Sequence, residues 1–268
     1  MIRQTARRLL EKSPRLDGLF RRLVWSRVHF PEHELRVLDA LPKDHFDVAV
    51  DIGAALGSYT WVLNRKARSV LAFEPGSQHF AHVDKARMLS RVHVINAAVG
   101  AEAGTAELLT PGATNDGRHM ATLSAANPVT ETADLVRDTV QVVALDSFLG
   151  QTLEPGRRVD LIKIDVEGFE NAVLSGARAR IAADHPVIIA EVEARHNPEY
   201  TVFFETLLEL GYECLAYSGG AYVPFSAQEV GAQVAPSHFP EGGEHRVDGY
   251  INNFVFQHPQ SAAKVLSL

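Results

Sequence analysis

From Phe46 onward the chain alternates short apolar runs with helical patterns, and this rhythm restricts the fold more than any other feature. "DVAVDIG" reads as a buried strand, "SYTWVLNRKA" as a helix, "SVLAFEP" as a strand, "SQHFAHVDKARML" as a helix and "VHVINAAVG" as a strand. A βαβαβ series of this kind implies a parallel sheet with right-handed crossovers. "GTAELLT" and "DTVQVVALD" then interrupt it as extra strands flanking a polar loop. The alternation resumes through "VDLIKIDVEG", "FENAVLSGARARIA", "PVIIAEVE", "YTVFFETLLELG", "YECLAYS" and a closing "YINNFVFQ".

Composition fits one large core. The 268 residues are 46% hydrophobic and 22% charged, with no low-complexity tract or linker to divide them. A net charge of −7 argues against a nucleic-acid partner, which would call for a basic face. Cys214 is the single cysteine, so no intrachain disulfide can form, and a buried strand cysteine is the expected reading. Apolar stretches fall short of the roughly 18 residues that span a bilayer, and the N-terminus lacks a signal peptide's continuous apolar core. A cytoplasmic location is expected.

Charge is concentrated at one end. Residues 1–30 carry eight Lys and Arg against Glu11 and Asp17, a balance of +6; with −7 overall, the remainder carries −13. Ile2, Ala6, Leu9 and Leu10, then Leu16, Leu19, Phe20, Leu23 and Val24, recur at helical spacing on either side of Pro14. Residues 1–45 are therefore read as a basic helical extension and 46–268 as the main domain. The extension suits either a helical cap packed on the domain or peripheral contact with the anionic inner membrane surface.

The junction "DIGAALGSYT" is the first functional candidate. Glycine lets backbone approach a ligand, and the following helix offers free N–H groups. Glu74 ends the next strand, where a carboxylate accepts from both ribose hydroxyls. A nicotinamide fingerprint wants G-x-G-x-x-G, but counting from Gly53 the second and third positions hold Ala55 and Ser58. S-adenosylmethionine, without a pyrophosphate to cradle, needs only a close turn and an acid for the ribose.

Together with "AFEPG", "NAAVG", "VALDSFL" and above all "LIKIDVEGFENAVLSGA", this junction resembles the FkbM-family methyltransferases over residues 46–193. The resemblance implies a class I fold: an α/β, Rossmann-like, doubly wound, mostly parallel sheet of seven strands with an inserted β-hairpin. It implies S-adenosylmethionine as cofactor, S-adenosylhomocysteine as product, and O-methylation of a hydroxyl. On this likeness the cofactor site comprises Asp51, Gly53, Ala54, Gly57, Tyr59 and Thr60, then Glu74 and Pro75, then Asn96, Ala97 and Ala98. Asp165 sits where the reacting methyl is expected, and Glu167 follows it. The family usually has Asn after the glycine-alanine pair, where this chain has Ala55.

Methylating a hydroxyl asks for a base near the ends of the fourth and fifth strands. Asp165, Glu167, Glu191, Glu193 and His196 are the candidates. "KIDVEG" also has a structural reading, in which Lys163 points to solvent, Asp165 caps the next helix and Glu167 favours its positive end. The carboxylates at 165, 167, 191 and 193 would suit a divalent metal such as magnesium, but strand alternation turns neighbours apart and no metal spacing is diagnostic. A small molecule or glycan is the expected substrate, with residues 110–128 and 226–248 placed to cover it. The competing class is a methyltransferase-like module that binds a glycan or partner without turnover.

Overall fold

The computed structural model describes residues 32–84, 86, 89–111, 121–125, 127, 134–225 and 251–266. The helices expected on either side of Pro14 and the covering segment 226–248 lie outside the described residues. In chain order the first half comprises α1 (His33–Ala40), β1 (Phe46–Ile52), α2 (Ser58–Lys66), β2 (Ala67–Phe73), α3 (Ser77–Val83), β3 (Val92–Ile95), β4 (Ala98–Val99), β5 (Gly104–Pro111) and β6 (Leu135–Val143). There follow α4 (Leu145–Thr152), β7 (Val159–Ile164), α5 (Glu170–Asp184), β8 (Val187–Glu191), α6 (Tyr200–Glu209), β9 (Glu213–Ser218), β10 (Ala221–Pro224) and β11 (Asn253–Gln257).

The main sheet runs β10-β9-β11-β8-β7-β1-β2-β3. Strands β3, β2, β1, β7 and β8 are parallel, and β11 inserts antiparallel between β8 and β9. Seven of these strands form the expected Rossmann-like class I sheet; β10 adds an eighth through a hairpin with β9. The chain builds outward from β1 to β3, then returns to the other side of β1 as β7. That reversal opens a crevice at the carboxyl ends of β1 and β7, the ligand-binding edge of such sheets.

Parallel strands covered on both faces read as continuous apolar runs. All six residues of β7 are buried, and so are six of the seven in β1. Val50, Ile52, Ile162 and Ile164 face one layer with α4, α5 and α6, while Ala49, Leu161 and Ile189 face another with α1 and α2. Leu35 and Leu38 of α1 belong to that second layer, and Lys66 Nζ donates to Asp39 O (2.7 Å) and Leu41 O (2.6 Å). Residues 33–40 thus pack as part of the body.

Two local expectations change. "VHVINAAVG" is not one strand: β3 stops at Ile95, and Asn96 Nδ2 reaches back to Glu74 O (2.8 Å) and Pro75 O (3.2 Å). Ala98 and Val99 then pair with β6 in a second sheet ordered β4-β6-β5, which contains the expected hairpin of β5 and β6. Lys163 does not point to solvent; it is 1% exposed, because β7 lies inside the sheet with both faces covered.

Candidate active site

Two tight turns, from β1 into α2 and from β7 into α5, meet at the switch point. Gly53 (φ 78°) leaves β1 with its own N–H and that of Ala54 both donating to Phe73 O at 3.0 Å. It passes so close to β7 that a Cβ there would lie 1.8 Å from Asp165 O. Ala55 follows in the left-handed region (φ 45°), and Gly57 (φ 86°) precedes the first turn of α2. Ala55 N–H donates to Glu74 Oε2 and Gly76 N–H to Glu74 Oε1, each at 2.8 Å. One donor from this turn and one from the loop after β2 thus hold a carboxylate that burial raises to about 7.

Beneath the turn lies a charged layer. Asp51 is buried and accepts from Thr60 Oγ1 at 2.5 Å; burial lifts its pKa to about 6. Lys163, its register partner on β7, places Nζ 3.7 Å from Asp165 Oδ2 and 4.8 Å from the centre of the Tyr59 ring. Burial works against that ammonium, yet Asp165, Glu191, Glu32 and Asp51 together hold its pKa above the ordinary value.

The second turn carries Glu167 (φ 45°) and Gly168 (φ 96°). The Glu167 carboxylate is paired with Nδ1 of the buried His196, and burial raises its pKa although the histidine opposes the shift. Glu193 lies 3.8 Å from the same nitrogen. Despite its burial, the Glu193 carboxyl is held below the usual range by its hydrogen bond to Arg195. Asn252 Nδ2 donates to Glu191 Oε1 and, at 2.8 Å, to Glu193 Oε1. Burial, reinforced by Asp165, pushes the Glu191 carboxyl well above its ordinary value.

These groups surround one cavity of about 370 Å³, within the range of small-molecule sites. Of the residues expected at the site, Gly53, Glu74, Pro75, Ala97, Ala98, Asp165, Glu167 and Glu191 line it. Asp51, Tyr59 and Thr60 are buried around the turn, Asn96 braces the Glu74 loop, and His196 stands behind Glu167. Ala54 and Gly57 shape the turn through Gly57 N–H to Ala54 O, 2.7 Å. Asp165 does not cap α5; among the described residues that helix has no side-chain cap, and Glu170 Oε1 instead accepts from Gly168 N–H at 2.8 Å.

Sequence reasoning missed Arg195, Phe169 and His79 on the wall. Arg195 had a usable signal, its place between two named candidates. His79 had none, being one histidine of twelve. Among the described residues, no group of three or more His, Cys, Asp and Glu side chains is arranged to hold a metal ion, and no helix is long and apolar enough to cross a membrane.

The cavity offers a carboxylate for a diol at one end, apolar walls from Ile52, Phe73, Val99 and Leu108, and acids at the other end. Among known proteins the chain is similar to "Methyltransferase 1" of Beauveria bassiana (strain ARSEF 2860). The two are 31% identical over 153 residues, which cover 50% of this chain and 59% of that protein, so the chain spans less than two thirds of that relative. Among solved structures it is similar to methyltransferase FkbM of Methylobacillus flagellatus KT, at 15% identity and TM-score 0.47, covering 87% of this chain and 48% of that one. It is also similar to an O-methyltransferase of Bacillus cereus solved in complex with SAH, at 14% identity and TM-score 0.44, covering 85% and 81%. Residues 51–214, from the end of β1 into β9, match the methyltransferase FkbM domain; with well over half its length in that match, the chain belongs to that family.

Proposed function

We propose that this protein is an S-adenosylmethionine-dependent O-methyltransferase acting on a hydroxyl of a sugar, in a glycan or glycolipid, or of a related natural product. The observation that carries the reading is that one cavity is lined both by Glu74, just after β2, and by Glu167, after β7, whose carboxylate is paired with the buried His196. Glu74, held by two backbone N–H groups, suits the ribose diol, and the apolar wall of Phe73, Val99 and Leu108 suits a planar base. The cofactor supplies a sulfonium-bound methyl already activated for displacement.

The remaining work falls to this chain's side chains. Asp165, Glu167, Glu191 and Glu193 make the far wall acidic, and its Arg195 is tied to Glu193. A negative wall favours a sulfonium cation over the neutral thioether product, which assists turnover. It also suits a donor-rich polyol as acceptor, because ionised carboxylates only accept hydrogen bonds. Glu167 is the group we assign as base: it faces the cavity, burial raises its pKa toward neutrality, and His196 stabilises it from behind. His196, off the wall, acts through Glu167. Glu191 also lines the cavity, but its Oε1 is already taken by Asn252 Nδ2.

Calorimetric titration with S-adenosylmethionine, S-adenosylhomocysteine and NAD tests the cofactor assignment, followed by a labelled-methyl screen over simple glycosides. Binding of both sulfur compounds, lost in Glu74→Ala, is the expected result. Binding of NAD alone, or of none of the three, would overturn it.

A further inference from the structure

A segment that lines the cavity also grips the backbone of the residue assigned as base. Residues 121–123 run beside β5, with Leu109 N–H donating to Thr122 O and Thr122 N–H to Leu109 O, both at 2.9 Å. In an extended segment successive side chains point to opposite sides. Ala121 and Leu123 accordingly line the cavity, while Thr122 is buried and its Oγ1 donates to Glu167 O at 2.7 Å. Asn127, also buried, donates from Nδ2 to the same carbonyl at 2.8 Å, and its own N–H is fixed to Ser124 O at 3.2 Å. One carbonyl thus takes two side-chain donors from one insert, which uses both its lone pairs.

That carbonyl belongs to a residue in a costly conformation. A glutamate at φ 45° persists only where its surroundings over-determine it, and such residues concentrate at functional sites. The rear of the turn is fixed elsewhere: a Cβ on Gly168 would stand 2.3 Å from His196 O, and Glu170 Oε2 accepts from Asn197 Nδ2 at 2.7 Å. These rear contacts set Gly168 and the histidine. The front contacts, from Thr122 and Asn127, act on the Glu167 peptide itself and so on the direction of its side chain.

We propose that Thr122 and Asn127 are positioning residues that couple the seating of an acceptor against residues 121–123 to the aim of the Glu167 carboxylate. The proposal rests on the reading of Glu167 as base. An acceptor that fits the Ala121 and Leu123 wall leaves both bonds to Glu167 O intact and the carboxylate turned to the hydroxyl. One that displaces the segment releases the peptide, so discrimination falls on turnover more than on binding. Among the described residues, the ionisable groups facing the Glu167 and His196 pair are Asp165, Glu170, Glu191, Glu193 and Arg195, which lie at strand ends, in the turns and at the start of α5.

The test needs no acceptor. The His196 ring signal is followed by NMR in histidine-labelled protein, assigned through His196→Gln, in Thr122→Val, Asn127→Leu, the double variant and Thr122→Ser, with Glu167→Gln as the reference for a lost pairing. Titration with S-adenosylhomocysteine runs in parallel. The expected result is a folded double variant with unchanged affinity for S-adenosylhomocysteine, whose His196 signal has moved to that of Glu167→Gln, while Thr122→Ser keeps the parental signal. A folded double variant with the parental His196 signal would overturn the proposal; if the double variant does not fold, the same comparison in Thr122→Val decides. Failure of the parent to bind S-adenosylhomocysteine would strike the cofactor reading instead and leave the clamp to be judged by the NMR signal.

Discussion

The turns after β1 and β7 are built on one backbone plan and used in opposite ways. Each holds a non-glycine residue at φ 45° and a left-handed glycine pressed against a neighbouring carbonyl, Ala55 with Gly53 two residues before it and Glu167 with Gly168 directly after it. In the first turn the side chain contributes little and the peptide N–H groups do the binding, to Phe73 O and Glu74. In the second the side chain faces the cavity and is paired with His196, and its peptide is held by Thr122 and Asn127. A carboxylate fixed by backbone donors suits a feature common to every cofactor molecule; a carboxylate braced through its own peptide suits a proton that must be taken at one atom.

The comparison breaks first at the carboxylates. Glu167→Gln should cut methyl transfer by about 10²–10⁴-fold, the range for loss of a general base, while leaving S-adenosylhomocysteine affinity unchanged. Glu74→Ala should do the reverse in binding, losing charge-assisted hydrogen bonds worth on the order of 1.5–3 kcal/mol. Isothermal titration and a labelled-methyl assay on both variants check the pair. Equal loss of affinity in Glu167→Gln would mean the two turns do not divide the work.

Gly53→Ala and Gly168→Ala test the shared plan. The added Cβ would meet a backbone carbonyl at 1.8 Å in the first case and 2.3 Å in the second, and neither carbonyl is a flexible side-chain end. Each should cost about 3 kcal/mol or more, with Gly53→Ala the worse. Denaturant unfolding measures both; a change under about 1 kcal/mol in either would show that the turns yield where the packing says they cannot.

Acidity sharpens the contrast. Glu74 has its pKa lifted to about 7 by burial, and it accepts from a diol fully only when ionised. Below that pH the site must give up a proton to bind, so S-adenosylhomocysteine affinity should fall as pH drops through 7 by up to about tenfold per unit, and level off above it. Titration in buffers of different ionisation enthalpy should register the proton released. Affinity that stays flat across that pH would remove Glu74 from the diol.

How far each turn was legible in the sequence follows from how it is built. The first is local: D-x-G-x-x-x-G between an apolar run and a helix, with Glu74 one strand later, lies within a short stretch. The second depends on partners far along the chain. Thr122 and Asn127 stand 45 and 40 residues before Glu167, in an insert whose sequence reads only as a polar loop. Burial of Lys163 was hidden for a related reason: a charged residue in an apolar run gives no sign that carboxylates from β1 and β8 will surround it. Strand β10, four residues ending in proline, had too little pattern to register. The split of "VHVINAAVG" turned on Asn96, whose side chain bonds carbonyls beyond β2 and takes the chain off the ladder.

The smallest predicted effect lies at Ala55, where the chain departs from the asparagine the family resemblance leads one to expect. A left-handed conformation costs an alanine about 1 kcal/mol relative to residues that adopt it readily, and asparagine is one of those. Glycine would relieve the same strain but give much of the gain back through greater freedom in the unfolded chain. Asparagine avoids that loss, and the site has room for it because Ala55 already lines the cavity. Ala55→Asn should therefore stabilise the fold by about 0.5–1 kcal/mol, a Tm rise of roughly 1–4 °C for a domain of this size. Its amide would also stand beside Glu74 and the bound cofactor, so affinity should hold or rise. A lower Tm would show that the Ala55 N–H bond to Glu74 already offsets the strain, leaving this turn, like the one at Glu167, over-determined by its partners.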